Sequence, residues 1–241
     1  MSFWSVNKNG DGGAELRIEG KITSEQGLLE WMLGLPDKSA PAIIQEIRSV
    51  EGPLTVWINS PGGSVFAASA IYTALRDHGN VTVKIDSEAC SAASVIAMAG
   101  DTVLISPTAM MMIHNPLTSA EGDIHDMQRA MQMLRESKDG IVAAYMRKTG
   151  LSAEEIGRMM DETTFMSAST AIRLGFADGE LFSDNAQPPD VSNLMRSAYR
   201  VSEVVDCVSK LDTTALRNAL QEKPKTDAMR AAQLRLARAR R

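Results

Sequence analysis

Three short segments carry residue types that could support nucleophilic chemistry. Asn59-Ser60-Pro61-Gly62-Gly63 follows a β-branched and aromatic run and precedes an alanine-rich stretch with helical spacing. Two successive glycines leave the main-chain amides unhindered, and a following helix adds the positive end of its dipole, which suits a developing oxyanion. The same residues also make an ordinary turn, with Pro61 setting φ. In the second segment, residues 87–94, every residue close to Ser91 except Glu88 is small. A serine at such a helix start can be an exposed nucleophile or a simple N-cap. Cys90 beside it reads as a buried structural thiol. Because a hydroxyl is inert at its own pKa, Ser91 needs a base. His114 is the best candidate of the three histidines: the apolar run Met-Met-Met-Ile precedes it and would hold the ring, and Asn115-Pro116 turns the chain after it. Its role depends on Ser91 lying beside it. His78 and His125 read as solvated helix residues.

These segments sit in a recurring pattern. Residues 54–58 read as a strand, 64–78 as a helix closed by Gly79, 81–85 as a second strand, and 91–99 as an apolar helix stopped by Gly100. Strands are expected at 14–19, 102–106, 110–113 and 176–182, and helices at 24–33, 40–50, 122–148, 152–160 and 167–174. Alternating strands and helices indicate an α/β fold with a largely parallel sheet. Residues 1–13 read as a polar, glycine-rich arm with nothing resembling core. A boundary is expected near Pro188-Pro189. Beyond it a helical apolar face runs from Leu194 to Leu211, followed by a tail with seven basic residues and one acidic residue from Lys223 onward.

The chain has 241 residues, 44% hydrophobic and 23% charged, which is the composition of a globular protein that can bury a core. No internal repeat is present. The longest apolar stretch, residues 89–100, is too short to cross a bilayer, and the N-terminus lacks a secretory signal, so the expected location is the cytoplasm, with no membrane partner. Two cysteines and three scattered histidines supply neither a disulfide framework nor a metal cage, and no cofactor is implied. A net charge of −5 argues against nucleic acid as the main partner.

Taken in order, Asn59-Ser-Pro-Gly-Gly63, the small-residue segment around Ser91, Met112-Ile-His-Asn-Pro-Leu117, Phe165-Met-Ser-Ala168 and Leu174-Gly-Phe-Ala-Asp178 make the chain resemble the ClpP family of self-compartmentalised serine peptidases. The resemblance covers residues 14–182. It implies a ClpP/crotonase-like α/β spiroid of repeated strand-turn-helix units at 14–185, preceded by the arm at 1–13 and followed by a C-terminal helical extension with a basic tail at 186–241. It also implies homo-oligomeric rings acting on protein or peptide substrates. Carried over position by position, Ser91 matches the nucleophile, His114 the general base, and the amides of Gly63 and Ala92 the oxyanion donors.

The acid departs from the pattern. Thr163 occupies the aligned position, and Asp161 or Glu162 could substitute if the loop shifts; a displaced acid is the favoured reading over a Ser-His dyad or an inactive copy. Asp178 matches another family position and is a weaker candidate. The short segment before the first strand differs from the gating loops of members that work with an ATP-driven unfoldase, which argues against such a partner. The segment Ser-Ala-Ala-Ser-Val-Ile-Ala-Met-Ala-Gly and the appended C-terminal region resemble the phage-associated branch, the ClpP-like head maturation proteases. That resemblance implies capsid or scaffold proteins as substrates in a host cytoplasm. The competing readings are a crotonase-type acyl-CoA enzyme and a non-catalytic ring or scaffold subunit.

Overall fold

Apolar and polar residues alternate along the central strands, and that period of two sends one set of side chains into a core and the other outward. In the computed structural model, which describes residues 3–9, 12–25, 32 and 39–182, the strands are β1 (Trp4–Lys8), β2 (Ala14–Ile22), β3 (Leu54–Gly63), β4 (Val81–Cys90), β5 (Thr102–Ile105), β6 (Met110–Ile113), β7 (Thr164–Ser167) and β8 (Gly179–Glu180). The helices are α1 (Ala40–Arg48), α2 (Val65–His78), α3 (Ala92–Ala97), α4 (Ile124–Thr149), α5 (Ala153–Asp161) and α6 (Ala168–Arg173). Most of the helix expected at 24–33, and everything expected at 186–241, lies outside the described residues.

The sheet runs β1-β2-β3-β4-β5-β8, with β2 to β8 parallel and β1 antiparallel to β2. Leu16 and Ile18, Val56 and Ile58, Val83 and Ile85, and Val103 and Ile105 are all buried and form one cluster with Ile43 and Ile47 of α1 and Ile71 and Leu75 of α2. The opposite face of these strands is half-exposed. There Arg17, Trp57 and Lys84 stand in register across three strands, and both cations lie over the indole ring.

The first residues differ from expectation as well. Phe3 and Trp4 are buried, because β1 pairs with β2 along its whole length and carries these aromatics into the core. His78, read as solvated, is half-buried with Nε2 3.1 Å from the Gly52 carbonyl, whereas His125 is exposed on α4. The strand expected at 176–182 shrinks to two residues, since Phe176 and Ala177 are tied back to Ala171 at the end of α6.

Two features of the sheet position the site. β3 does not turn at Asn59 but continues to Gly63, with register shifts against both neighbours. β4 likewise runs on to Cys90 and changes partner on the way: residues 82–85 pair with β5, and Glu88, Ala89 and Cys90 pair with Met110, Met111 and Met112 of β6. The sheet forks at this point, and β7 closes the branch antiparallel to β6.

Only the last third of α4 enters the core, through Ile141, Val142, Ala144 and Tyr145. Its start is fixed by a capping box between Asp123 and Asp126, and Ile124 and Met131 are exposed. Among the described residues no helix is long and apolar enough to cross a membrane.

Candidate active site

The fork decides which residues meet. Cys90 is paired with Met112 at the end of the β4–β6 ladder, and the Ser91 amide donates to the Met112 carbonyl at 2.8 Å. His114 follows one residue beyond the end of β6. Its Nε2 lies 2.7 Å from Ser91 Oγ. With the serine hydroxyl donating, Nε2 is the unprotonated nitrogen and Nδ1 carries the hydrogen.

Ser91 has φ 56° and ψ −125°, a conformation that costs a side-chain-bearing residue about 1–3 kcal/mol. It turns the chain abruptly from β4 into α3, which is why the hydroxyl makes no N-cap bond. Sequence reasoning did not anticipate what holds that turn. Ser94 Oγ lies 2.6 Å from the Ser91 carbonyl and 2.8 Å from the Tyr145 hydroxyl, with Ser94 and Tyr145 both buried. Burial pushes the Tyr145 phenol well above its ordinary range, so it remains a neutral hydrogen-bonding group. The signal for Ser94 lay in the small-residue segment itself; nothing in the helical stripe around Tyr145 distinguished its hydroxyl.

The glycine pair is required by close approach. A Cβ on Gly62, at φ +96°, would lie 2.6 to 2.9 Å from Cys90 O, Ser91 Cβ and Ala92 N, and one on Gly63, at φ +149°, would lie 2.2 Å from Ile22 O. Ser60, fully buried, accepts from the Gly62 amide and donates to the Gly20 carbonyl, locking the bulged strand end. The amide of Ser64, not that of Gly63, donates to Ile22. Ala92 opens α3, whose first amides lack intrahelical acceptors. Gly63, Ala92, Ser91 and His114 line one cavity of about 200 Å³.

The acidic candidates are placed differently. Asp161 ends α5, and its Oδ1 accepts from Asn115 Nδ2 at 2.8 Å and from Lys138 Nζ at 2.5 Å. These two donors hold its carboxyl below the usual range, Lys138 contributing most. Asp161 does not touch His114. Glu162 is the exposed C-cap of α5, and Thr163 is exposed with φ 53°, an outlier for a β-branched residue. Among the described residues nothing hydrogen-bonds to Nδ1 of His114. Asp178 serves the scaffold: its Oδ2 accepts from the Val103 amide and from the nearly buried Lys148.

Cys90 faces Glu88 rather than the cavity, with Sγ 3.6 Å from Oε2. Burial first, and then the Glu88 carboxylate, push its thiol up to about 11.

A family model described as Clp protease matches residues 37–183, which contain every residue of this cavity. The ATP-dependent Clp protease proteolytic subunit 1 of Chlamydia muridarum is 33% identical over 159 residues, covering 62% of this chain and 83% of the relative. Its namesakes from Chlamydia abortus and Chlamydia trachomatis serovar D are 33% and 31% identical over the same length. The forked α/β sheet, the matched span and these relatives together make the chain a member of the Clp protease family of peptidases.

Proposed function

We propose that this chain is a serine endopeptidase that cleaves peptide bonds through an acyl-enzyme on Ser91. The observation that carries the reading is the 2.7 Å contact between His114 Nε2 and a strained, small-residue-flanked Ser91 Oγ. His114 takes the hydroxyl proton as Ser91 attacks the carbonyl carbon. The amides of Gly63 and Ala92 receive the negative charge on the carbonyl oxygen, and His114 then returns the proton to the leaving amine. In the second half-reaction His114 deprotonates water, which attacks the ester and releases Ser91. Neither Asp161 nor Glu162 hydrogen-bonds to His114, so any acidic contribution from either reaches the ring indirectly.

The biological reading is a homo-oligomeric, ring-forming enzyme that processes capsid or scaffold proteins during phage head maturation. It is supported by the resemblance of residues 91–100 to that branch and by a C-terminal region, after residue 183, that lies outside the family match. A fluorophosphonate probe should label the wild-type chain and not Ser91→Ala. Equal labelling of the two would remove Ser91 as nucleophile.

One observation favours a second reading, a non-catalytic ring subunit: a threonine stands at the aligned acid position, and among the described residues no carboxylate hydrogen-bonds to His114. A wild-type chain that assembles but neither hydrolyses unfolded protein nor reacts with the probe would select it.

A further inference from the structure

The tie between Asp161 and Asn115 joins three separate elements at the residue next to the proposed base. Asn115 directly follows His114, Asp161 ends α5, and Lys138 comes from the middle of α4. The β6–β7 ladder stops at the pair Ile113 and Thr164, so His114 is the first residue beyond its support. Residues 114–121 carry no regular structure, and beyond the contact of His114 with Ser91 the Asn115 side chain is the next restraint on them.

The orientation of that side chain is dictated from outside. A carboxylate can only accept, so Asn115 must turn its NH₂ group to Asp161. Its Oδ1 is then buried without a donor, an arrangement that is unfavourable in itself. The amide is thus held by Asp161 and not by any need of its own oxygen. Lys138, whose side chain is 28% exposed, shares the same carboxylate oxygen and fixes the direction from which it approaches. An exposed pair of this kind adds little to global stability, so its purpose is sought in the geometry it imposes.

Resting on the reading of Ser91 and His114 as nucleophile and base, we infer that Asp161 and Lys138 are positioning residues that act through Asn115. They clamp the loop that carries His114 in place of orienting the imidazole directly. A displacement of about 1 Å at a reacting group can cost on the order of 10² in rate. Neither Asp161 nor Lys138 lines the cavity that holds Ser91 and His114, so the clamp governs kcat and leaves KM nearly unchanged.

The test is a double-mutant cycle on the full chain, with steady-state peptide hydrolysis, the rate of fluorophosphonate labelling and the thermal midpoint measured for each variant. Asp161→Ala and Asn115→Ala should each lower kcat by about 10- to 100-fold with KM changed less than about twofold. The double variant should be no slower than Asn115→Ala alone, because removing the carboxylate has no effect once its amide partner is gone. Lys138→Arg should recover most of what Lys138→Ala loses, and Asp161→Asn, which keeps an acceptor for Asn115, should fall between wild type and Asp161→Ala. A double variant whose loss equals the product of the single losses would overturn the inference, since Asp161 would then act independently of Asn115. Losses that merely follow the thermal midpoints, or an Asp161→Ala variant with unchanged kcat, would overturn it too. Retained turnover in Ser91→Ala would instead strike the underlying assignment; an inactive Ser91→Ala with a multiplicative cycle would strike the clamp alone.

Discussion

The two sides of His114 are built by different means. Toward Ser91 the ring is held by ladder pairing: Cys90 with Met112, the Ser91 amide on the Met112 carbonyl, and a 2.7 Å contact between the side chains. Toward the corner between α5 and β7 the ladder has ended. Continuing its antiparallel register by one step sets His114 opposite Thr163, an exposed residue that offers no charge. The nearby carboxylate of Asp161 is already taken by Asn115 and Lys138. The proposed nucleophile and base are placed by strand pairing, whereas an acid placed on a corner depends on which neighbouring donors claim it.

The largest effect should come from the ladder side. His114→Ala removes the proposed base, and kcat should fall by about 10⁴-fold or more; turnover within tenfold of wild type would end the comparison by removing one of its sides. Gly62→Ala forces a methyl group against Cys90, Ser91 and Ala92 and should disturb the proposed oxyanion amides of Gly63 and Ala92, costing on the order of 10²–10³ in kcat. Normal activity in that variant would mean that the close approach of β3 to α3 has no catalytic consequence.

On the corner side, Thr163→Asp supplies a carboxylate in register with His114 and replaces a β-branched residue at positive φ with one that tolerates it. A gain in kcat of about tenfold is expected, since the acid of a Ser-His-Asp system is worth up to about 10⁴. An unchanged rate would show that the corner lies out of reach of the ring.

A smaller loss should follow Tyr145→Phe, which deletes the hydroxyl beside Ser94 at the Ser91 turn. About 1 kcal/mol of stability by chemical denaturation, with a few-fold drop in kcat, is expected. No change in either would leave the strained serine supported by Ser94 alone. The smallest effect concerns Cys90. With a pKa of about 11, its thiolate is scarce at pH 8, and alkylation of the native chain at this residue should rise only as the pH approaches 11. Rapid modification at pH 8 would show that the β4 end is more open than the ladder requires.

Much of the scaffold was legible in local patterns. The helix at 64–78 appears with nearly the expected bounds, and the strand expected at 54–58 starts at the expected residue, because helical spacing and alternation are properties of neighbouring residues. The burial of Phe3 and Trp4 was not legible, since the polar residues around them masked two aromatics that become core only when β1 pairs with β2. The extension of β3 through Pro61-Gly62-Gly63 was hidden for a related reason: glycine and proline mark turns in isolated chain, and a bulged strand end needs neighbours on both sides to be recognised. Ser91 and His114 could be singled out by residue type and setting, and the departure at Thr163 by alignment of motifs. The engagement of Asp161 with Lys138 left no trace in the sequence, because those residues are brought together only by the packing of α4 against α5.

The sequence by itself determined where chemistry could occur. It set small residues around one serine, two adjacent glycines where a side chain would collide, and a histidine at the end of an apolar run. Tertiary structure decided which of these possibilities were joined. A pairing register between strands distant in the chain is set by the whole sheet, and the switch of β4 from β5 to β6 brings residues 91 and 114 within hydrogen-bonding distance. Tertiary packing also gave the Asp161 carboxylate to a lysine and an amide, because hydrogen-bonding partners are settled by three-dimensional neighbours and not by order along the chain.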